Sequence, residues 1–270
     1  CKIPLAIVPS TKAHTGGQFS MDLNTQFDQQ GYVFPLDIFS EVEIHACRRA
    51  FDELEQEFGK EHTQKGIMAK EQEYAFIWKL AADKRLLDAV ASVYGNDLVL
   101  AGTHFFCKYP VAELGTAYVA WHQDVTYWNL DPPQAISAWI AIDDVDEENG
   151  AMLFVPGSHR HGILEHGKSD QHGNLLSINQ ALDEGLFNPT EAVTVNLKAG
   201  QVSLHDGMLI HGSHPNHSSR RRCGMTVRFI RPDVRIVPKD NQVFTQNAVL
   251  VRGKDQFHFQ HRTPAPTFDH

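Results

Sequence analysis

No stretch of this 270-residue sequence stays apolar for the roughly 20 residues that a membrane-spanning helix needs. A bilayer is therefore not an expected partner. Cysteine is scarce: Cys1, Cys47, Cys107 and Cys223 lie far apart, with no Cys-x-x-Cys pair. That spacing argues against a disulfide framework and against a thiolate zinc site, and a reducing, cytoplasmic setting is the default expectation. Basic charge is in deficit, with 24 Lys and Arg against 33 Asp and Glu and a net charge of -9, which argues against nucleic acid as a partner. Internal repeats and low-complexity linkers are missing too, so one domain over residues 1–270 is the simplest reading. The opening CKIPLAIVP has a short apolar core with no cleavage-like site after it and does not read as a signal peptide. Asn216-His217-Ser218 fits the glycosylation pattern, but so loose a triplet is read as a chance occurrence.

What is present suffices for a folded core, with 42% hydrophobic and 10% aromatic residues. GYVFPLDIFS (31–40) predicts a short strand ending in a turn, after which Ser40 can cap a helix reaching about Gly59. Cys47, Phe51, Leu54 and Phe58 recur on one face of that helix. A second helix is expected from Asp83 to Tyr94, with Gly95-Asn96 as its stop signal. From about residue 97 the pattern turns to short β-type runs divided by Gly, Pro, Asn and Asp: LVLAGTHFFCKY, AYVAWHQ, AISAWIAID, AMLFVPG, AVTVNL, QVSLHD and GMTVRFI. The expected fold is mainly β, a sandwich or barrel with helices packed outside. Residues 159–189 carry little periodicity, as a disordered loop or an active-site lid would. DDVDEEN (143–149) reads as a solvated acidic turn.

Sixteen histidines are many for this length, and their placement carries the chemistry. In WHQDVTYW (121–128), alternation along an extended chain puts His122 and Asp124 on one side and Gln123 on the other. An imidazole and a carboxylate could then share one ion. Alone, an HxD triplet is a weak signal, because histidines with carboxylate partners are common structural features. VSLHDGMLIHGSHPNHSSRRR adds His205, His211, His214 and His217, followed by Arg220, Arg221 and Arg222. Two histidines and one carboxylate with open positions are the ligand set of non-heme Fe(II) oxygenases. An arginine beyond the third ligand could grip a co-substrate acid bidentately. For the other two arginines, a solvated basic turn is the plainer reading.

WHQD, AWIAIDDVDEENGAMLFVPGSHR and LIHGSHPNHSSRRR, in that order and spacing, resemble the phytanoyl-CoA dioxygenase family of Fe(II)/2-oxoglutarate oxygenases. GYVFPLDIFSEVEI resembles that family's N-terminal strand and helix. The resemblance covers roughly residues 27 to 232, leaving an N-terminal extension of residues 1–20 and a C-terminal one of residues 233–270. It implies a double-stranded β-helix, or jelly roll, of the cupin-like kind. It also implies Fe(II), 2-oxoglutarate and O2 as cofactor and co-substrates, with ascorbate as an accessory reductant. By this alignment His122, Asp124 and His211 hold iron, and Arg222 pairs with the far carboxylate of 2-oxoglutarate. Ser213 and Trp139 line that pocket, and Gln123 lies beside it. His205 is expected to support the site rather than bind metal, His214 and His217 to be exposed, and His159 to serve a structural turn. The implied reaction decarboxylates 2-oxoglutarate to succinate and CO2 and hydroxylates an unactivated C–H bond. Family members that halogenate lack the carboxylate of Asp124, so its presence implies hydroxylation.

The substrate is less constrained. Tyr127 and Trp128 follow the metal motif and are its expected contacts, with Thr103, His104 and Lys108 as further candidates for the pocket wall. Together with Trp121, Phe105, Phe106 and Tyr109, the aromatics could cage a cation, although plain core packing accounts for most such residues. No basic groove for a coenzyme A tail is evident, so a small polar or zwitterionic metabolite ranks before an acyl thioester. Two other classes compete: a non-catalytic jelly-roll sensor, disfavoured by an intact motif, and a zinc hydrolase, which would have no use for Arg222. Oligomeric state is not legible in the sequence.

Overall fold

Period-two burial organises the chain from residue 98 onward. In strand Arg222–Ile230, residues Cys223, Met225, Val227 and Phe229 join the main core, while Arg222, Thr226 and Arg228 line an internal cavity on the other face. Strand Ile136–Ala141 does the same, with Ile136, Ala138 and Ile140 in that core and Trp139 facing the cavity. In Gln201–Asp206, Val202 and Leu204 pack outward while His205 turns in. The computed structural model describes residues 18–237, 248–259 and 262–268. The CKIPLAIVP stretch and Cys1 lie outside them.

The larger sheet is antiparallel, in the order Tyr32–Asp37, Gln201–Asp206, Ile136–Ala141, Arg222–Ile230, Leu98–Lys108, Val249–Arg252, with Ile67–Met68 also paired to Leu98–Lys108. The smaller sheet runs Val193–Thr194, Met152–Phe154, His211–Ser213, Val119–His122. Residues of both sheets line the same cavity, so it lies between them. This is the expected jelly roll.

Helices cover the outer face of the larger sheet. Glu41–Phe58 begins at Ser40, whose hydroxyl accepts from the Glu43 amide while the Glu43 carboxylate accepts from the Ser40 amide, a reciprocal capping box. Ile44, Phe51 and Leu54 form its fully buried stripe, with Cys47 and Phe58 packed at the edge. Lys84–Tyr94 follows Asp83 as its cap and buries Leu86, Leu87 and Val90 on the same core. Phe51 stacks on Phe105, 5.0 Å between ring centres, joining the first of these helices to the sheet. Sequence periodicity missed the helices Gln18–Gln30 and Ala75–Ala81. The second is short and apolar almost throughout, which leaves no polar face to set a period.

Two charged segments do more than the sequence suggests. The DDVDEEN turn is exposed at Asp144, Glu147 and Glu148, as expected, and is also an ion-pair hub: Asp143 meets Arg48 and Arg221, Asp144 meets Lys198, and Asp146 meets Arg220. Arg221 also reaches Asp52 and Glu55 on the capped helix. The basic turn is thus neutralised by the acidic one. Asn216 is buried, its amide donating to the carbonyls of Lys108 and Arg220, so its side chain is committed to the turn. Among the described residues, no helix is long and apolar enough to cross a membrane.

Candidate active site

His122 ends one strand of the smaller sheet and His211 begins its neighbour, and the two are direct partners in the antiparallel register. The Nδ1 of His122 donates to the Ala120 carbonyl at 2.9 Å, and the Nδ1 of His211 donates to the Leu209 carbonyl at 2.9 Å. Each bond fixes the tautomer that leaves Nε2 with a free lone pair. Both Nε2 atoms point at one carboxylate oxygen, Asp124 Oδ1, at 3.3 Å from His122 and 3.8 Å from His211. Ligand atoms about 2.1 Å from a common ion, at right angles, stand about 3 Å apart. The observed spacings therefore suit one metal ion with little adjustment.

Asp124 is held from its other side. Its Oδ2 accepts from the Ser137 hydroxyl at 3.0 Å and lies 3.7 Å from His205 Nε2. Burial alone would raise this carboxyl, but the imidazoles of His122, His205 and His211 keep it well below the usual carboxylate range. Burial, with the neighbouring His122 ring, keeps His211 well below the usual imidazole range, so it stands neutral and ready to ligate. His205 supports the site, as expected. The strand ends at His122, however, and Asp124 opens a short 3-10 turn through Tyr127. The ligands converge because the chain bends there, not through continued strand alternation.

Gln123 does turn away, and this takes it out of the cavity. Its carboxamide donates to the carbonyls of Gly162 and Met208 and accepts from the Leu164 amide. It ties down the 160–189 segment rather than reaching the expected co-substrate pocket. That segment is ordered: His166–Lys168 and Gln180–Leu182 form a hairpin, and Leu175, Leu176, Ser177 and Gln180 line the cavity. His159 donates from Nε2 to the Asp28 carbonyl in a turn, while His214 and His217 are exposed, as the sequence suggests.

At one end of the cavity stands Arg222, almost completely buried, with Trp139 beneath its guanidinium at 4.7 Å. Its Nε has no hydrogen-bond partner. Burial lowers it only to about 10, so it remains a cation at neutral pH. A buried cation with an unmet donor is costly unless an anion meets it. Ser213 and Trp139 line the cavity beside it. Gly224 makes room for the indole, since a Cβ there would lie 1.9 Å from the Trp139 ring. Lys108, Arg222's register partner on the next strand, donates to Ser213 Oγ at 2.5 Å and to the His214 carbonyl at 2.6 Å. Lys108 thus backs the Arg222 end and does not form the substrate wall. Burial and the Arg222 charge push it well below its ordinary value.

Thr103, His104, Tyr127 and Trp128 do line the cavity, as does Phe106. Phe105 and Tyr109 belong to the outer core, and Trp121 packs against Phe187. The face of Trp128 is covered by the guanidinium of Arg228 at 5.2 Å, so it does not offer a cage to a cationic ligand. Arg228, Thr226, Met68, Met152 and Gln180 are cavity residues that the sequence reading missed. For Thr226 and Arg228 a signal existed: they lie four and six residues beyond Arg222 on one strand, hence on its face.

Residues 27–224 match the family model described as Phytanoyl-CoA dioxygenase (PhyH). A relative from Stutzerimonas stutzeri, a probable alpha-ketoglutarate-dependent hypophosphite dioxygenase, is 25% identical over 203 residues, 73% of this chain and 70% of its own. The L-proline trans-4-hydroxylase of Streptomyces griseoviridis is 28% identical over 167 residues, covering 54% of this chain and 62% of the relative. Among solved structures, the non-heme monooxygenase ThoJ in its apo form superposes with a TM-score of 0.71 at 28% identity, over 90% of this chain and 87% of that one. The paired histidines on one carboxylate and the unpaired arginine at the far end of the same cavity agree with these likenesses. The chain belongs to the phytanoyl-CoA dioxygenase family of Fe(II)/2-oxoglutarate-dependent oxygenases.

Proposed function

We propose that this protein hydroxylates an unactivated C–H bond of a small, polar or zwitterionic metabolite, releasing succinate and CO2 from 2-oxoglutarate. The observation that carries the reading is one cavity with two ends: His122, Asp124 and His211 converge at one, and the unpaired Arg222 stands at the other. Fe(II), with O2 and 2-oxoglutarate, supplies the C–H oxidation, and ascorbate serves as an accessory reductant.

The chain's own residues supply position and charge. His122 and His211 present Nε2, their Nδ1 atoms being held by backbone carbonyls, and Asp124 contributes one negative charge held in orientation by Ser137. Arg222 receives the far carboxylate of 2-oxoglutarate, with Ser213 and Trp139 beside it and Lys108 behind. The two charges of the metal and that of Arg222 balance Asp124 and the two carboxylates, so the assembly forms without a net buried charge. Because Asp124 occupies the third ligand position, hydroxylation is favoured over halide transfer.

The substrate side favours a small polar molecule. The cavity is small, about 90 Å3, which favours a compact ligand over a bulky one. Polar groups on its wall lack partners: His104 Nε2, the Tyr127 hydroxyl, the Gln180 carboxamide oxygen and Arg228 Nε. Unmet buried polar atoms favour a ligand that supplies hydrogen bonds. We place the whole reaction in a single domain.

The test is anaerobic addition of Fe(II) and 2-oxoglutarate, followed by succinate release over a panel of small amino acids, amines, phosphonates and acyl-CoAs. A visible charge-transfer band and succinate release stimulated by a small polar compound are expected. Failure of the band to form would remove the oxygenase reading and leave the sensor alternative.

A further inference from the structure

The cavity holds a second arginine that binding of 2-oxoglutarate leaves unused. Arg222 and Arg228 share the inward face of one strand, roughly 20 Å apart along the backbone at the usual rise per residue. Each lies on a different tryptophan, Arg222 on Trp139 and Arg228 on Trp128. They serve opposite ends of the cavity, and one small anion cannot occupy both.

Arg228 differs from most of the described arginines outside the cavity. Arg220, Arg221, Arg231 and Arg252 each meet a carboxylate within 4.0 Å. Arg228 forms no such ion pair among the described residues: its contacts are the Trp128 face and a long 3.4 Å approach of Nη2 to His104 Nδ1. Its Nε is buried without a partner, and the side chain lines the cavity. This is the condition in which Arg222 also stands.

The carboxylates nearest to Arg228 do not relieve it. Asp124 and Glu71 both favour its charge at a distance. Asp124 is committed to the metal ligands and Ser137. Glu71 sits behind the wall, one oxygen accepting from the Thr103 hydroxyl at 2.7 Å, and is fully buried. Glu71 forms no ion pair with the Arg228 guanidinium among the described residues. His104, buried and kept neutral beside that charge, accepts on one edge and fixes the plane of the guanidinium.

We infer that Arg228 is the anchor for an anionic group of the substrate. The substrate carries a carboxylate, a phosphonate or a similar oxyanion, which accepts from the Arg228 fork while Trp128 packs beneath it. The carbon to be oxidised then lies between this anchor and His122, Asp124 and His211. Arg222 holds the co-substrate acid and Arg228 the substrate acid, so the two acids are sorted to opposite ends of one cavity. This inference rests on the oxygenase reading above.

The experiment uses the full chain, anaerobic and loaded with Fe(II) and 2-oxoglutarate. It is titrated with small amino acids, alkyl carboxylates and alkylphosphonates, each beside its amide or ester, including L-proline against L-prolinamide and propylphosphonate against its dimethyl ester. Binding is read as a change in the charge-transfer band, and turnover as succinate release. In the wild type, acids are expected to bind about tenfold or more tightly than their amide or ester counterparts. In Arg228→Gln that preference falls to near parity, while the 2-oxoglutarate band still forms and so reports an intact fold and metal site. Arg228→Lys keeps part of the preference. A wild type that prefers no acid over its partner, including one that binds none of them, overturns the inference. So does a preference that survives in Arg228→Gln. If the band never forms in the wild type, the oxygenase reading has failed, and not the anchor alone.

Discussion

His211 faces His122 directly across the antiparallel pairing of two short strands, with the ring centres 4.1 Å apart. The metal position is thus built into strand register, because a one-residue slip would send either imidazole to the opposite face. Asp124→Ala removes the oxygen on which both Nε2 atoms converge. Loss of a supporting hydrogen bond behind a ligand already lowers metal affinity or activity by roughly 10–100-fold. For Asp124→Ala, succinate release should fall on the order of 100-fold or more, with iron content below one per chain after desalting. Wild-type activity in that variant would rule out the ligand assignment.

Arg222→Gln should act on co-substrate before substrate. Leaving one partner of a buried charge pair unmatched costs about 2 kcal/mol or more, so KM for 2-oxoglutarate should rise about 30-fold or more. Iron content should stay at the wild-type level, because the guanidinium forms no contact with the three ligands. Steady-state kinetics with 2-oxoglutarate as the varied component, alongside metal analysis, separates the two effects.

Gly224→Ala tests the seat of Trp139. A methyl group there would stand 1.9 Å from the indole ring, deep between two sheets, where nothing flexible can yield. Overpacking of this kind costs about 1–3 kcal/mol. Urea titration should show the unfolding free energy lowered by that amount, and affinity for 2-oxoglutarate should weaken because the surface under Arg222 is displaced.

Glu43 offers a test by pH. Its carboxylate bonds to Arg85 and to both the hydroxyl and amide of Ser40, and these contacts lower it from 4.5 to about 2. A carboxylate depressed in the folded state stabilises fully above its unfolded value and loses that contribution as pH falls through the folded value. Glu43→Gln should therefore melt at a lower temperature than wild type near neutral pH, with the gap closing between about pH 4.5 and pH 2. Thermal melts followed by circular dichroism across that range decide it. A gap that stays constant with pH would show that the charge of Glu43 is not what matters.

The readable parts of this sequence are those where one local rule acts alone. Ser40, Glu43 and Gly59 mark a helix because capping is settled within a few residues. The seven β-type runs were visible because one face of each strand is apolar. His122 and Asp124 stood out as a pair through spacing, whereas His211 and Arg222 were picked from their neighbouring histidines and arginines by the family resemblance. What stayed hidden depends on contacts between distant segments. Lys108 and Arg222 are 114 residues apart in sequence yet direct neighbours in register, and that pairing assigns Lys108 to the co-substrate end. Glu71 draws its significance from Thr103, which no local pattern announces. The acidic and basic turns looked solvated because each was judged without the other. Alternation counted from Arg222 would have reached Arg228, but a lone arginine draws no notice until its missing carboxylate is seen.

Gln123 stands between two ligands in the chain while its side chain grips the backbone at Gly162, Leu164 and Met208. Its own amide donates to His166, at the foot of the hairpin that roofs the cavity. The roof cannot lift without pulling on the residue that spaces the ligands, and loosened ligands release the roof. Metal loading should therefore be felt as protection of the 160–189 segment against proteases, well away from the ion itself.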